Sequence, residues 1–491
     1  MAHKKHRIIS TGIPGLDHIL EGGLPAEYMY LINGPSGSGK TTLSLQFLME
    51  GVRQGGRSLY IGTAETEEEM DEVACSHGWD LSGVHLRYHG GPAEISGGPE
   101  QTMIHPVEMR LPQTMQTLVG MIEKVRPDRL VIDSLTEIRL LSREESWFRD
   151  QLKLLEQNLQ GSGCTVLLTD LRVDEQPVLR SLVHGVIELD HTSPVYGPDS
   201  RRVRIAKIRG RSFCTGSHDM TIEQGGLRVF PRLVAAEHRE SHAPQTVSTG
   251  LDGLDRMLGG GLSRGTGTLL VGPTGTGKSS LASQMIYAAA ERDEKSLMVI
   301  FDERIQTVLR RSASLGVPLE DHVNSGLVQI QQIDPAELTP GQFSRQVAVA
   351  VEDDVKTVVI DSLNGYAYAM PEEGLLELYL HELLSFLSQK GVTSIQVMTQ
   401  HGVFRQQESV FDVSYIADTV LLLRLFEFQG SIHKCISVHK KRTGHHEKTI
   451  REFDLNEGKI SIGGPLDRFT GLFTGNPKFV GDSLTQNTEE S

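Results

Sequence analysis

The chain has few cysteines, no long apolar run and an excess of negative charge. Its four cysteines are too widely scattered for a zinc site or a disulfide framework, which favours reduced thiols in a cytoplasm; they are Cys75, Cys164, Cys214 and Cys435. No apolar stretch approaches the roughly 20 residues of a membrane-spanning helix, so we expect a cytoplasmic protein without a membrane partner. The formal net charge of −15 works against constitutive binding to nucleic acid or to an anionic membrane.

What the sequence does contain is one Gly-rich motif in two copies. Residues 34–41 read GPSGSGKT and residues 272–279 read GPTGTGKS, and both fit the pattern G-x-x-x-x-G-K-[ST]. The two lysines are separated by 278 − 40 = 238 positions, and an upstream Ser-Thr-Gly recurs with the same offset at residues 10 and 248. A constant offset indicates an internal duplication, so the sequence predicts two nucleotide-binding domains in tandem.

Each motif predicts a phosphate-binding loop. Its glycines let successive backbone N–H groups point at one phosphate, and the following helix adds its free N–H groups and its positive dipole end. We predict that Lys40 and Lys278 reach the β- and γ-phosphates of ATP, and that Thr41 and Ser279 hold Mg²⁺. The predicted nucleotide-binding residues are Gly34, Ser36, Gly37, Ser38, Gly39, Lys40, Thr41 and Thr42 in the first copy, and Gly272, Thr274, Gly275, Thr276, Gly277, Lys278, Ser279 and Ser280 in the second.

Strand and helix patterns alternate in both halves, which predicts an α/β fold with a parallel sheet in each. Apolar strand patterns precede the two loops at residues 28–32 and 268–271, and helical patterns follow them. The predicted organisation is a first domain, a polar linker, a second domain and a flexible tail, at residues 1–235, 236–246, 247–463 and 464–491.

Acidic residues end two further strands in each half. Asp133 and Asp361 close apolar runs, and we predict that their carboxylates lie beside the loop and bind the water shell of Mg²⁺, although an Asp at a strand end is also a common turn residue. Glu65 and Glu303 end the strand that follows each loop helix. Hydrolysis requires a group that orients and deprotonates the attacking water, and we predict this role for both glutamates, with a solvated strand-end acid as the alternative.

Taken together, these motifs resemble the KaiC family of double-domain RecA-like ATPases. The resemblance rests on Thr-Gly-x-x-Gly-Leu-Asp before each loop (residues 11–17 and 249–255), on Gly-Gly-Leu (22–24 and 260–262), on both loops and on both Asp-Ser strand ends. It implies two tandem RecA-like P-loop NTPase domains with mostly parallel central sheets. It also implies a homohexameric double ring that binds ATP at the interfaces between its protomers.

The resemblance extends to a Lys-x-Arg pair late in each domain. Lys207 with Arg209, and Lys440 with Arg442, match the pair that the family supplies from the neighbouring subunit. A cation that enters from the next protomer stabilises charge on the γ-phosphate and makes hydrolysis depend on ring assembly. Considered alone, these residues would be surface charges on strands.

The sequence departs from the family at the strand end after the loop helix. Where the family has two adjacent acids, the first domain has Ala64 and Glu65, and the second has Asp302 and Glu303. The first acid is therefore missing or shortened, which brings the strength of both activities into question. In the first domain, Glu65 acts alone or is helped by the nearby Glu67 or Glu68.

A second departure concerns autophosphorylation. Clock-type members modify a Ser-Thr pair, and here Ser414 matches the serine whereas Tyr415 replaces the threonine. Because a tyrosine hydroxyl stands several ångströms further from its Cα, in-line attack from the same backbone position is disfavoured. We predict that Ser414 is a phosphorylation candidate without an ordered two-site cycle; an ordinary strand-edge serine is the alternative.

The favoured function is a Mg²⁺-dependent ATPase that assembles with itself, acts in signalling or regulation and carries a candidate serine autokinase in its second domain. One alternative is a nucleotide-gated scaffold with little turnover, which binds as yet unidentified protein partners. The other is a RecA-like DNA-acting ATPase. The negative charge and the lack of an aromatic and basic cluster argue against a nucleic-acid partner.

Overall fold

The structure, a computed structural model, forms two compact units that divide between Arg232 and Leu233. It describes residues 7–63, 65–88, 106–142, 145–171, 177–193, 199–234, 245–334, 337–370, 376–400, 417–472 and 478–480. No helix in these ranges is long and apolar enough to cross a membrane.

The first unit alternates strands and helices and ends in antiparallel strands. Its elements are β1 (Ile8–Ile9), α1 (Pro14–Ile19), β2 (Leu24–Pro25), β3 (Met29–Gly34), α2 (Lys40–Arg53), β4 (Ser58–Gly62), α3 (Glu67–His77), β5 (Val84–Tyr88), α4 (Pro106–Val125), β6 (Arg129–Asp133), α5 (Leu135–Leu140), α6 (Glu145–Leu159), β7 (Thr165–Leu171), α7 (Pro177–Leu182), β8 (Gly185–Thr192), β9 (Ser200–Ile208), β10 (Ser217–Glu223) and β11 (Gly226–Phe230).

The second unit follows the same plan. Its elements are β12 (Thr246–Val247), α8 (Asp252–Met257), β13 (Leu262–Ser263), β14 (Gly267–Gly272), α9 (Lys278–Ala290), β15 (Ser296–Ile300), α10 (Ile305–Ser314), α11 (Leu319–Asn324), β16 (Val328–Gln332), α12 (Pro340–Glu352), β17 (Thr357–Asp361), α13 (Leu363–Ala369), α14 (Leu376–Gln389), β18 (Thr393–Thr399), β19 (Thr419–Phe428), β20 (Ser431–Lys441), β21 (Arg451–Asn456), β22 (Lys459–Pro465), β23 (Phe469–Thr470) and β24 (Lys478–Phe479).

Both units arrange their strands in the same order. The main sheet of the first unit runs β5-β4-β6-β7-β3-β8-β9-β10-β11, and that of the second runs β16-β15-β17-β18-β14-β19-β20-β21-β22. The six strands from β5 to β8, and from β16 to β19, are parallel, and the last three of each sheet are antiparallel. The predicted fold class, an α/β protein with two tandem RecA-like domains and mostly parallel central sheets, is confirmed.

The first four residues of the loop-bearing strand β3, Met29 to Ile32, form an apolar run because both faces of the strand are covered. Tyr30 and Ile32 belong to one buried cluster, whereas Met29 and Leu31 belong to a second cluster on the opposite face. Alternate side chains of a strand point to opposite faces, so a strand covered on both sides reads as a continuous apolar run. This packing holds the end of β3, where the Gly-rich loop begins, at a fixed position.

The Thr-Gly-x-x-Gly-Leu-Asp motif closes a turn at the start of each unit. Asp17 accepts hydrogen bonds from the Ser10 hydroxyl (2.6 Å) and from the Thr11 backbone N–H (2.7 Å). In the second unit, Asp255 accepts the equivalent bond from the Thr249 N–H at 2.8 Å. The motif that contributes most to the family resemblance thus has a structural role, because it ties the short first strand to the helix after it.

Part of the segment predicted to be a flexible tail is folded. β23 and β24 pair as antiparallel strands, and Leu472 is buried against Phe426 and Cys435 with Phe469 beside them. The prediction relied on the Gly, Asn, Thr and Ser content of residues 464–491 and overlooked these few apolar side chains, which cover the end of the sheet.

Two candidate nucleotide-binding sites

The first Gly-rich loop curls at the carboxyl end of β3 and leads into α2. Gly39, the residue before the helix, has φ of 96°, a left-handed conformation that glycine adopts without the strain of a Cβ. Among the described residues no side chain caps α2, so the N–H groups of its first turn are available to a phosphate. The ammonium of Lys40 donates hydrogen bonds to the carbonyls of Gly34 (2.9 Å) and Pro35 (2.8 Å).

The two predicted acids of the first domain meet beside this loop. The hydroxyl of Thr41 lies 2.7 Å from a carboxylate oxygen of Asp133 and 3.3 Å from one of Glu65. Tyr60, on β4, places its hydroxyl 2.7 Å from Glu65 and 3.1 Å from Asp133, and Thr169, on β7, also donates to Asp133. Glu65 follows β4 and Asp133 ends β6, and because these strands are parallel neighbours, the fold brings both acids to the carboxyl end of the sheet, beside Thr41 at the start of α2.

The charges of this cluster suit a divalent cation. Burial raises the pKa of Glu65, and the neighbouring Asp133 raises it further, whereas hydrogen bonds from Tyr60 and Thr41 oppose the shift. Burial lowers the pKa of Lys40, and both carboxylates oppose that change. Two carboxylates and a threonine hydroxyl are hard oxygen donors of the kind that Mg²⁺ prefers.

Protein side chains alone do not complete a metal site. Within the described ranges, no three His, Cys, Asp or Glu side chains converge closely enough to hold a metal ion. The residues that would hold Mg²⁺ here are Thr41, through its hydroxyl, and Asp133, through the water shell of the ion. Such an ion supplies charge neutralisation for the transferred phosphoryl group.

The second loop has the same geometry and opens into a cleft of about 620 Å³. Lys278 donates to the carbonyls of Gly272 and Pro273, both at 2.8 Å, and its burial lowers its pKa to about 8. Burial raises the pKa of Asp361 to about 6, a shift that a hydrogen bond from Ser279 opposes. The residues that line the cleft include Lys278, Ser279, Asp302, Glu303, Arg311 and Asp361.

The catalytic candidates of the two sites have different partners. Glu65 is held by neutral hydroxyl groups, whereas Glu303 forms an ion pair with Arg311 of α10. The position equivalent to Tyr60 in the second domain is Met298, which has no hydroxyl. The neighbouring Asp302 instead accepts a hydrogen bond from Ser362 at 2.8 Å.

The predicted loop residues run from the last residue of β3 to the first turn of α2, and from the last residue of β14 to the first turn of α9. Their exposure varies along each loop. Ser36, Gly37, Thr274 and Gly275 are exposed at the tips of the loops, and buried at the base are Ser38, Thr42, Thr276 and Ser280. The tips are thus accessible to a ligand, whereas the buried residues pack the loops against the sheets.

The first Lys-x-Arg pair lies at the opposite end of its sheet. The ammonium of Lys207 donates to the carbonyls of Arg180 (2.6 Å) and Val183 (2.9 Å), and Arg209 donates to Ser181. These carbonyls precede β8 and are level with Met29, where β3 begins. Since a strand rises about 3.3 Å per residue, the five steps of β3 separate them from the loop by about 16 Å.

The second pair has the same placement. Lys440 donates to the carbonyl of Ala417 at 2.8 Å, and the backbone N–H of Arg442 donates to Asp418 at 2.9 Å. Asp418 in turn contacts Gly267, where β14 begins. Neither pair therefore reaches the loop of its own domain, whereas the strand-end acids do.

Sequence reasoning did not select Tyr60, Thr169 or Arg311 for these sites. Tyr60 and Thr169 read as ordinary members of apolar strands, and only the pairing of β4, β6 and β7 brings them to the acids. Glu303 precedes a bend in the chain, and Arg311 lies two helical turns further on, in α10. No residue pattern in the sequence predicts the direction of that bend. Ala64, Ser414 and Tyr415 lie outside the described residues.

Comparisons with known proteins agree with this geometry. The family model described as "ATPase: KaiC" matches the chain twice, at residues 9–234 and 247–467. The circadian clock oscillator proteins KaiC of Acaryochloris marina and Synechococcus elongatus are both 29% identical to it, over 96% and 97% of this chain and 91% and 93% of theirs. The circadian clock protein KaiC3 of a Synechocystis strain is 26% identical over 97% of this chain and 95% of its own.

The two family matches cover most of both folded units, and the relatives align over nearly the whole chain. The resemblance that the sequence motifs indicated is confirmed. The chain therefore belongs to the KaiC family of ATPases, as an ATP-binding member that has diverged from the clock proteins.

Proposed function

We propose that this protein hydrolyses ATP with Mg²⁺ at both loops and that it works as a ring, most simply a homohexamer. The observation that carries hydrolysis is the meeting of Thr41, Asp133 and Glu65 beside the Lys40 loop. One hydroxyl and one acid suit the metal, and the second acid is placed to orient water. Family membership supports the same activity.

In this mechanism each residue has one task. Lys40 and Lys278 exchange their loop carbonyls for phosphate oxygens, whereas Thr41 and Ser279 would hold a Mg²⁺ ion and Asp133 and Asp361 its water shell. Glu65 and Glu303 orient the attacking water and accept its proton. The Lys-x-Arg pairs, which lie about 16 Å from their own loops, supply cations to the neighbouring protomer.

Glu65 is expected to be the base of the first domain, with Tyr60 as its positioning residue. In a Lys278→Ala background, which silences the second domain, Glu65→Gln should lower kcat for phosphate release about a hundredfold, since general-base catalysis contributes at least that much. Tyr60→Phe should lower kcat by several-fold to about tenfold, the effect of one lost hydrogen bond, with little change in KM. Unchanged kcat in both variants would contradict these roles; Tyr88→Phe is the matched tyrosine control.

The ion pair between Glu303 and Arg311 favours a second candidate function for the second domain, a nucleotide-gated scaffold with little turnover. A carboxylate whose oxygens are both engaged by a guanidinium is less available to orient a water molecule. In this case the second domain binds ATP to control assembly with unidentified protein partners, and the first domain supplies most of the turnover.

The autokinase proposal concerns Ser414. After incubation with ATP and Mg²⁺, mass spectrometry of the purified protein should find phosphate on Ser414 and none on Tyr415, because the longer tyrosine side chain misplaces its hydroxyl for in-line attack. Phosphate should disappear in a Lys278→Ala variant and persist in Lys40→Ala. Robust phosphate on both Ser414 and Tyr415 would refute the proposal of a single modified site.

A further inference from the structure

The ion pair in the second domain places a cation in the wall of the nucleotide cleft. One terminal nitrogen of Arg311 contacts both carboxylate oxygens of Glu303. The Arg311 side chain is only 25% exposed, and it faces the same cleft as Lys278 and Ser279. This part of the cleft therefore contains a second positive group in addition to the lysine of the loop.

The remaining nitrogens of Arg311 are not satisfied by the protein. Nε and the second terminal nitrogen, Nη2, are buried and have no hydrogen-bond partner. Leaving a buried donor without an acceptor is costly, and a charged donor more so. Nε and a terminal nitrogen form a planar fork that matches two oxygens of a phosphate. The geometry thus calls for an anionic ligand with several acceptor oxygens.

The first domain provides an internal comparison. The position equivalent to Arg311 is Val73 of α3, a partly buried residue that packs against the apolar core. There the carboxylate of Glu65 accepts from Tyr60 and lies near Thr41, both of them neutral. A guanidinium at this position is thus a feature of the second domain alone.

We infer that Arg311 is a γ-phosphate-binding residue of the second domain, held by Glu303 until ATP enters the cleft. When the triphosphate binds, the guanidinium exchanges the carboxylate for phosphate oxygens, and Glu303 is released towards water. No covalent bond changes in this exchange. The inference rests on the proposed function of the same site, and it differs from the role of Arg442, which lies at the far end of the sheet.

The exchange predicts selectivity for the triphosphate. In a Lys40→Ala background, Arg311→Ala should weaken binding of a non-hydrolysable ATP analogue about tenfold or more, the effect of a lost charged hydrogen bond, and should change ADP binding by less than about twofold. Glu303→Gln should tighten binding of the analogue, because the Arg311 guanidinium then does not have to give up a charged partner when it moves to the phosphate. Isothermal titration calorimetry of the full-length protein measures the affinity of each variant for the analogue and for ADP. Arg310→Ala is the control, since Arg310 is exposed on the same helix.

The outcomes separate the inference from the proposed function. Equal weakening of the analogue and of ADP in a folded Arg311→Ala protein would overturn the inference, and so would unchanged affinities. If Arg311→Ala fails to fold, Glu303→Gln decides, and an unaltered affinity for the analogue overturns the exchange. If the Lys40→Ala parent binds neither nucleotide, nucleotide binding by the second domain itself is refuted, and the inference with it.

Discussion

Rings assembled from two inactive variants are expected to regain ATP hydrolysis by the second domain. One variant carries Lys278→Ala and the other Arg442→Ala, both in a Lys40→Ala background that silences the first domain. Arg442 bonds to Asp418, which contacts Gly267 at the start of β14, and we propose that it acts on a neighbouring protomer rather than on its own loop. Losing such a cation is expected to lower turnover about a thousandfold. In randomly mixed rings with head-to-tail contacts, about a quarter of the sites combine an intact lysine with an intact arginine.

The experiment uses co-expressed chains with different tags, and rings purified through both tags are tested for phosphate release. Arg345→Ala is a suitable control, since Arg345 forms an exposed ion pair with Glu352 and such pairs contribute little. Mixed rings that stay inactive would refute action between protomers. Undiminished activity of the Arg442→Ala variant alone would show that this residue is a surface charge.

Removing both loop lysines is expected to abolish measurable turnover. Lys40 and Lys278 each sit within 2.9 Å of two loop carbonyls, directly where phosphates would bind. Losing an electrostatic group of this kind lowers kcat about 10²- to 10³-fold. Each single alanine variant should therefore retain only the share of the other domain, and phosphate release measured for both singles and the double apportions the activity.

Lys295→Ala is the matched control for these variants, because Lys295 forms an ion pair with Asp353 at the surface. Light scattering during size-exclusion chromatography reports whether each variant still assembles. Turnover that survives in the double variant at the wild-type rate would refute ATP hydrolysis at these loops. Full retention of turnover in one single variant would assign the domain that carries the substitution to nucleotide binding without hydrolysis.

The sequence predicted the elements around each loop well. A strand pattern at residues 28–32 corresponds to β3 (Met29–Gly34), and the pattern at 268–271 corresponds to β14 (Gly267–Gly272). These strands are buried on both faces, so their apolar runs are unbroken. The internal duplication could also be recognised from the sequence alone, because a constant offset between two motifs does not depend on how the chain packs.

The side chains that contact Glu65 and Glu303 could not be predicted from the sequence. Tyr60 is only five residues from Glu65 in the chain, but its second contact, with Asp133, arises because β4 and β6 lie side by side, which is set by strand order rather than by sequence distance. Arg311 reaches Glu303 across the bend between β15 and α10, whose direction is set by packing. The opposite placement of Arg442 and the loop likewise depends on the sheet, since only strand direction reveals which end a residue occupies.

The hydrogen bonds from the loop lysines to their own loops have a kinetic consequence. With Lys278 bonded to Gly272 and Pro273, contacts within the protein hold the loop in its curled form, so nucleotide capture needs little ordering of the backbone and loses little conformational entropy. Association should therefore be fast, and the lifetime of the complex should set the affinity. The fraction of sites that hold ATP would then follow the cellular ratio of ATP to ADP as bound nucleotides dissociate. The response time of the protein would equal the residence time of the departing nucleotide.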